Sequence, residues 1–390
     1  MTDEDDIARG LEDVTVAETR LSSIDGEAGE LVIGGFPLAE LAGNVTFEET
    51  VFLLREDRLP NESELASFRE DLASRRAIAP ETRETLRAAA EDGLPAMDVL
   101  RMGVAAANLG GDADGAGGTD EKQELGDLSD DALTAIAVMP TVVAAYWRYR
   151  EGDEPVAPRE DLGHAANYLY MLTGEEPDEA AVRGLETYLN TVIDHGLNAS
   201  TFTARCIAST ESDVFSAVTG AVGALKGPLH GGAPGPVLEM LIDIHESGDP
   251  EAAVRERLDA GERLMGFGHR VYSVRDPRAA VLSDAAESFY EESGDTDFFE
   301  SAREAERVGV EALAEHKPGR RLETNVEFYT AVLLHGIGIP RELFTATFGV
   351  ARVGGWTAHC LEQREDNRIV RPRARYVGET DRAWTPVGER

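Results

Sequence analysis

Three histidines stand beside glycines at breaks between helical stretches. His195 lies in DHGLNAST, His230 in KGPLHGGA and His269 in MGFGHRVY. Glycine leaves the backbone bare, so a small molecule can lie against the neighbouring polar side chain. One such histidine reads most simply as a cap or a satisfied core residue; three in one chain read as a site. Three arginines suggest what the site holds. Arg278 follows Asp276-Pro277, Arg352 lies in GVARVGGWTAH and Arg371 opens RPRARY. A guanidinium grips a carboxylate through two parallel N–H donors, so the set suits a small substrate with several carboxylates. Arg278 falls in a first helical turn, where cations are disfavoured, so helix stability does not explain it. The acid is Glu327, in TNVEFYTAVLLHG. From spacing alone it reads equally as a first-turn residue favoured by the helix dipole. No metal-ligand spacing surrounds the histidines, and HExxH, GxGxxG, GxSxG and phosphate-loop patterns are all absent.

The elements that must position these groups are helical. Thr46-Phe47-Glu48-Glu49 is a capping box ahead of Val51 and Leu54, and Asn61 with Glu64 repeats it ahead of Leu65, Phe68 and Leu72. Val182, Leu185, Leu189 and Val192 predict a helix that stops near Gly196. Val214, Val218, Val222 and Leu225 predict the next, ending at Gly227-Pro228. Asp276-Pro277 caps and opens a helix through Tyr290, and Asn325 caps one through Leu334. Only residues 14 to 36 alternate as a small β-hairpin would. Gly110 to Gly126 reads as an exposed, mobile loop.

The 390 residues predict two domains and a sizeable core. The longest apolar run, Ala135 to Trp147, is too short for a membrane span and holds Pro140. The acidic start MTDEDDIARG is neither a secretory signal nor a transit peptide, which points to the cytoplasm. Cys206 and Cys360 read as two free thiols of a reducing compartment. Asp plus Glu number 74 against 37 Lys plus Arg, a net charge of −37, and the lysines are only Lys122, Lys226 and Lys317. Such a surface repels nucleic acid and anionic membranes. It belongs to a folded protein in strong salt, which screens the self-repulsion, and so predicts a halophilic source.

Taken together the motifs resemble citrate synthase. The likeness runs from GLEDVTVAETRLSSIDGEAGEL through DHGLNAST, GPLHGGA, MGFGHRVY, DPR, NVEFYT and GGWTAH to RPRARY. It lies closest to the short bacterial and archaeal branch, which includes 2-methylcitrate synthases. The resemblance implies an all-α homodimer with a small N-terminal β-hairpin. A large helical domain would take residues 1–227 and 334–390, and a small one residues 228–333, with the active site in the cleft between them. The reaction implied is a Claisen-type condensation of acetyl-CoA with oxaloacetate, then hydrolysis to citrate and CoA, in the tricarboxylic acid cycle. It needs no cofactor, since acetyl-CoA is a substrate. By motif position, His230, His269 and Glu327 would be catalytic, and His195, Arg278, Arg352 and Arg371 would bind oxaloacetate. Arg371 would serve the neighbouring subunit. Met265, Gly266, Phe267 and Asn325 would line the acetyl-CoA site.

The chain departs from the family pattern in three places. Glu327 stands where the family has aspartate, Pro234-Gly235 where Asn-Glu is common, and IGGF at residues 33–36 lacks the usual basic residue. Two other readings stay open: a 2-methylcitrate synthase using propionyl-CoA, and a catalytically weak paralogue that binds CoA esters. The charge yields a prediction of its own. The thermal midpoint should rise steeply between low and multimolar KCl; a midpoint that stays flat or falls with added salt contradicts the halophilic reading.

Overall fold

A computed structural model describes residues 7–11, 14–109, 121–231 and 234–390. Helix takes 61% of the residues and strand 3%, which places the chain in the expected all-α class. The strands are β1 (Ser22–Asp25), β2 (Glu30–Ile33) and β3 (Phe36–Pro37), antiparallel in the order β1-β2-β3. Ser22 lies opposite Ile33, and Ile33 opposite Phe36. The hairpin expected over residues 14–36 is therefore shorter, and it gains a third strand. Gly34 and Gly35, with φ of 53° and 85°, turn the chain from β2 into β3, a conformation glycine adopts without strain.

The helices follow. They are α1 (Leu38–Leu41), α2 (Phe47–Glu56), α3 (Glu62–Ser74), α4 (Pro80–Glu91), α5 (Ala96–Ala105), α6 (Glu121–Glu151), α7 (His164–Thr173) and α8 (Glu179–Val192). Then come α9 (Ala199–Ala208), α10 (Val214–Leu225), α11 (Pro234–Glu246), α12 (Pro250–Asp259), α13 (Pro277–Ser293), α14 (Asp297–His316), α15 (Val326–Gly336) and α16 (Phe344–Glu365). Both capping boxes form: Thr46 with Glu49 on α2, and Asn61 with Glu64 on α3. Asp276 and Asn325 cap α13 and α15 as their positions predict.

Two expectations are corrected along α6. Residues 110–120 of the supposed Gly/Asp loop lie outside the described residues, and Glu121 to Gly126 belong to the helix. The apolar run read as too short for a membrane span is the second, because the helix continues through Pro140. An interior proline costs about 3 kcal/mol, but a buried Val or Ile returns about 1.5–3 kcal/mol each. Ile136, Met139, Val142 and Val143 around Pro140 are all buried, so burial wins. As a result Gly126–Glu151 is one continuous helix, long and apolar enough to cross a membrane by length and composition. Most of its apolar window, 72%, is buried inside the fold, which makes it a core helix here.

α16 is the second axis of the core. It packs on α6, α8, α9 and α10, and nearly all of Phe344 to Cys360 is buried. It crosses the end of α8 at close range. A side chain on Gly355 would meet the Ile193 carbonyl oxygen at 2.3 Å, so only glycine permits the approach. The crossing places Arg352 beside the residues that lead into His195. α13 packs on both α8 and α15, so the segment carrying Arg278 and the helix carrying Glu327 face the same region. Cys206 and Cys360 are free thiols.

Candidate active site

The site is assembled around one buried carboxylate. Asp276 caps α13 by accepting the Arg278 backbone N–H at 3.0 Å. The same carboxylate takes Arg278 Nε at 3.0 Å and Nη2 at 2.8 Å. It also accepts the N–H of Val326, the first residue of α15, at 3.2 Å. Burial alone would raise its pKa, but Arg278 and the backbone donors hold it below the usual carboxylate range. Arg278 is shifted the other way: burial would lower its pKa, and Asp276 outweighs it.

The stretch that carries His269 is tied to the entrance of α15. Asn325 N–H donates to the Gly266 carbonyl at 2.9 Å, and its Nδ2 donates to the Gly268 carbonyl at 2.8 Å. Asn325 Oδ1 accepts from Glu327 N at 3.0 Å, so the whole side chain serves the fold. Gly266 and Gly268 have φ of 85° and 84°. A side chain on Gly266 would press on Phe328 at 3.0 Å. Phe267 is a core anchor whose ring meets Phe328 edge-on at 5.5 Å. Met265 N–H points to Met240 Sδ at 3.4 Å. These bonds fix the backbone of the segment.

Hydrogen bonds also assign the ring protons. His269 Nδ1 accepts from the backbone N–H of Val271 at 3.0 Å and Tyr272 at 3.2 Å, so Nε2 carries the proton of the neutral ring. Arg278 Nη2 lies 3.2 Å from that Nε2. Both are then N–H donors, and an oxygen that accepts from both relieves the contact. His230 Nε2 accepts the Ser200 backbone N–H at 3.3 Å and lies 2.8 Å from Ser200 Oγ, which leaves Nδ1–H as its donor. Ser200 Oγ is held by Trp356 Nε1 at 3.0 Å and by Asn198 Oδ1 at 2.8 Å. His195 Nε2 meets Tyr272 OH at 3.0 Å, and its ring stands edge-on to His269 at 5.8 Å. All three rings are kept neutral. Burial and then Arg278 push His269 down to about 4, and burial and then Arg352 push His230 down to about 4. Burial, Arg278 and Arg352 hold His195 well below its ordinary value.

Arg352 is fully buried in α16. Its Nε donates to the Val192 carbonyl at the end of α8 at 2.6 Å, and its guanidinium lies 4.5 Å from the Phe348 ring centre. Its Nη2 is buried with no hydrogen-bond partner among the described residues. Burial lowers its pKa to about 10. An orphaned cationic donor costs several kcal/mol, so this atom suits an anion. Glu327 behaves oppositely to Asp276. It keeps some exposed surface, yet enough protein crowds its carboxyl that burial pushes the pKa up to about 7, against the pull of Arg278 and Arg352. A carboxyl titrating near neutrality is suited to move protons.

The structure thus joins His195, His269, Arg278, Arg352 and Glu327 into one electrostatic cluster, with His230 linked through Ser200 and Arg352. Arg371 is not brought in. It lies on the exposed stretch after α16, and none of the contacts above includes it. Sequence reasoning missed Asp276 as a hub, and it missed Tyr272, Ser200 and Trp356. It also missed Asp194, which accepts from Ser22 Oγ at 2.5 Å and meets His359 Nε2 at 3.2 Å. A groove between α8 and α13, lined by Arg183, Thr187, Ser288 and Glu292, holds none of the clustered groups. Among the described residues, no three His, Cys, Asp or Glu are placed to hold a metal.

Residues 10–373 match the family described as citrate synthase, C-terminal domain. A citrate synthase of Haloferax volcanii is 46% identical over 99% of both chains. A 2-methylcitrate synthase of Shewanella oneidensis is 34% identical, over 98% of this chain and 97% of its own. A solved structure from Thermoplasma acidophilum, citrate synthase in ternary complex with carboxymethyl coenzyme A and oxaloacetate, superposes with a TM-score of 0.85. It is 30% identical and covers 99% of this chain and 100% of its own.

The hydrogen bonds predict two different tautomers. Nitrogen NMR of labelled histidine between pH 5.5 and 8 should show His269 as the Nε2–H form and His230 as the Nδ1–H form. Neither ring should titrate, because both pKa values are lowered to about 4 and the charged form appears only below that. A midpoint near 6.5 for either ring, or the opposite tautomer, contradicts the assignment.

Proposed function

The chain belongs to the citrate synthase family, and we propose that Glu327, His230 and His269 carry out its reaction. The protein is an acyltransferase that condenses acetyl-CoA with oxaloacetate and hydrolyses the product to citrate and CoA. The observation that supports the site assignment is the convergence of neutral N–H donors, buried guanidinium groups and a carboxyl of raised pKa. That set matches the demands of the chemistry. The methyl group of an acetyl thioester is weakly acidic, so its proton must leave to a positioned base while the enolate oxygen is stabilised. Glu327 takes the proton. His230 Nδ1–H donates to the thioester oxygen. The enolate carbon then attacks the ketone of oxaloacetate, and His269 Nε2–H donates to the oxygen that becomes charged.

Arg278 and Arg352 neutralise the carboxylates of oxaloacetate. Asp276 engages Nε and one N–H of Nη2 of Arg278, which leaves Nη1 and the second N–H of Nη2, the one beside His269, for the ligand. His195 completes the oxaloacetate site as a neutral ring braced by Tyr272. The Met265-Gly266-Phe267 backbone and the Asn325 turn line the side where CoA enters. The same residues support the domain division proposed here. His269, Arg278 and Glu327 come from residues 228–333 and His195 and Arg352 from the remainder, and on this reading the site lies in the cleft between two units. Closure of that cleft keeps water from the enolate.

The working unit is a homodimer on this reading. Arg371 lies on a C-terminal stretch whose apolar side chains are bare: Tyr376 is 71% exposed, Val377 86% and Trp384 80%. A second copy of the chain would cover them, and Arg371 would then reach the neighbour's oxaloacetate. The charge of −37 makes concentrated salt its natural medium, and the free thiols suit the cytoplasm. Acetyl-CoA is the preferred thioester, in keeping with the higher identity to the citrate synthase than to the 2-methylcitrate synthase.

Release of the CoA thiol measures the reaction directly. With oxaloacetate saturating, acetyl-CoA should exceed propionyl-CoA in kcat/KM by about tenfold or more, the worth of one methylene. Glu327→Gln should lower kcat by about 10²–10⁴-fold, because an amide cannot take the proton. A better rate with propionyl-CoA overturns the substrate choice, and near wild-type turnover of Glu327→Gln removes Glu327 as the base. The shared site is tested by mixing inactive Arg371→Ala and His269→Ala chains. After re-association about a quarter of the parent activity should return, since half the dimers are mixed and each has one intact site. No recovery on mixing excludes the shared arginine.

A further inference from the structure

His195 stands just past the end of α8, and its two neighbours are tied down by side chains outside the site. Asp194 is fully buried. Its Oδ2 accepts from Ser22 Oγ of β1 at 2.5 Å, and its Oδ1 lies 3.2 Å from His359 Nε2 of α16. A carboxylate only accepts, so the His359 proton is on Nε2. The other ring nitrogen, Nδ1, lies 3.0 Å from Arg205 Nη1, which only donates, so Nδ1 accepts. Arg205 is anchored in turn by Glu362 Oε2 at 2.6 Å and Gln363 Oε1 at 3.0 Å. On the other flank, Ser22 Oγ accepts the Gly196 backbone N–H at 3.0 Å. One hydroxyl thus joins the residue before His195 to the residue after it.

Stability is a poor explanation for this network. Asp194, His359, Arg205 and Gln363 are all buried, and well-packed apolar residues of similar volume often hold a fold as well or better. What the network achieves is placement. Among the described residues, the side chain hydrogen-bonded to the His195 ring is Tyr272, which comes from the segment that carries His269. On the α8 side, the backbone of residues 192–196 sets where the ring points. That backbone is held at alternate residues: Arg352 Nε on the Val192 carbonyl at 2.6 Å, then Asp194, then the Gly196 N–H. Arg352 and His359 are seven residues apart, two turns along one face of α16. The helix that supplies one ligand therefore fixes the position of the other. We propose that Asp194 and His359 are positioning residues for oxaloacetate: with Ser22 they clamp the backbone on both sides of His195 and aim its ring at the substrate. The inference rests on His195 being an oxaloacetate ligand.

The test measures KM for oxaloacetate and for acetyl-CoA separately, in concentrated KCl, after thermal melts confirm folding. Asp194→Asn and His359→Leu should each raise KM for oxaloacetate about tenfold, with kcat and KM for acetyl-CoA unchanged. The double variant should be no worse than either, because both act through one hydrogen bond. His359→Gln should recover most of the affinity, since its amide N–H can stand where the imidazole Nε2–H stood. If the buried variants do not fold, Ser22→Ala, at a part-exposed position, replaces them and should show the same selective rise. An unchanged KM for oxaloacetate in a folded variant overturns the proposal. So does an equal rise in both KM values, which marks a general loss of order, or a His359→Gln enzyme as poor as His359→Leu. His195→Gln separates the two claims. If it raises KM for oxaloacetate and the clamp variants do not, only the clamp fails; if it leaves KM unchanged, the role of His195 fails first and the clamp with it.

Discussion

The geometry of the site hangs on the carboxylate of Asp276. Four donors converge on it: Arg278 N–H, Nε and Nη2, and Val326 N–H. Two of them are backbone groups at the starts of α13 and α15, so the positive ends of two helices and one guanidinium share a single negative charge. Breaking such a buried pair costs about 3–5 kcal/mol because the surviving charge has no solvent. The bond therefore does more than cap a helix. It fixes the angle at which α13 and α15 meet, orients the guanidinium of Arg278, and sets Glu327 on the second residue of α15. The Asp276 backbone N–H donates to the Thr324 carbonyl at 3.1 Å, which ties the same corner to the segment leading into α15.

Asp276 and Glu327 show how one corner of a fold runs two kinds of carboxyl. Both are crowded by protein, and burial raises both pKa values. The difference is hydrogen bonding. Asp276 receives charge-assisted and backbone donors and stays ionised. Glu327 feels Arg278 and Arg352 only at a distance, and its pKa rises to about 7. A structural anion and a carboxyl that titrates near neutrality are thereby separated without any change in the kind of ionisable group. The three neutral histidines follow the same logic. Burial, and after it the arginines nearby, make a positive charge on the rings unfavourable, so each ring keeps one proton, and His269 and His230 present it on a defined nitrogen.

Much of this was legible in the chain. Caps are local: Thr46, Asn61, Asp276 and Asn325 each announce a helix start through a side chain that reaches its own first turn. The histidines and arginines were legible because glycine-flanked polar residues at helix ends are uncommon in a core. Their meeting was not, since nothing local says that the end of α8 lies under α16. Asp276 read as a cap and no more, because its second and third roles depend on Val326 and on the fold of the Arg278 side chain. The length of α6 was not legible, because the local penalty of Pro140 is outweighed by burial of its neighbours.

The surface and the site pull electrostatically in opposite directions, and strong salt would reconcile them. Oxaloacetate and acetyl-CoA are anions, whereas the chain carries −37. At low ionic strength that field extends tens of ångströms and repels both substrates before either meets the cleft. In molar salt the screening length falls to about 3 Å, so the field of the surface no longer reaches an approaching ligand. What remains is short-ranged: hydrogen bonds and charge pairing among buried groups, which salt screens far less. Arg278 and Arg352 are placed accordingly, 4% and 1% exposed, out of reach of the bulk ions that would otherwise compete for them. Burial has a cost for Arg352, whose pKa falls to about 10, but the cation persists at neutral pH. With such an acidic exterior, the positive charges open to a dianion are interior ones such as these, held by the fold and not by the surface.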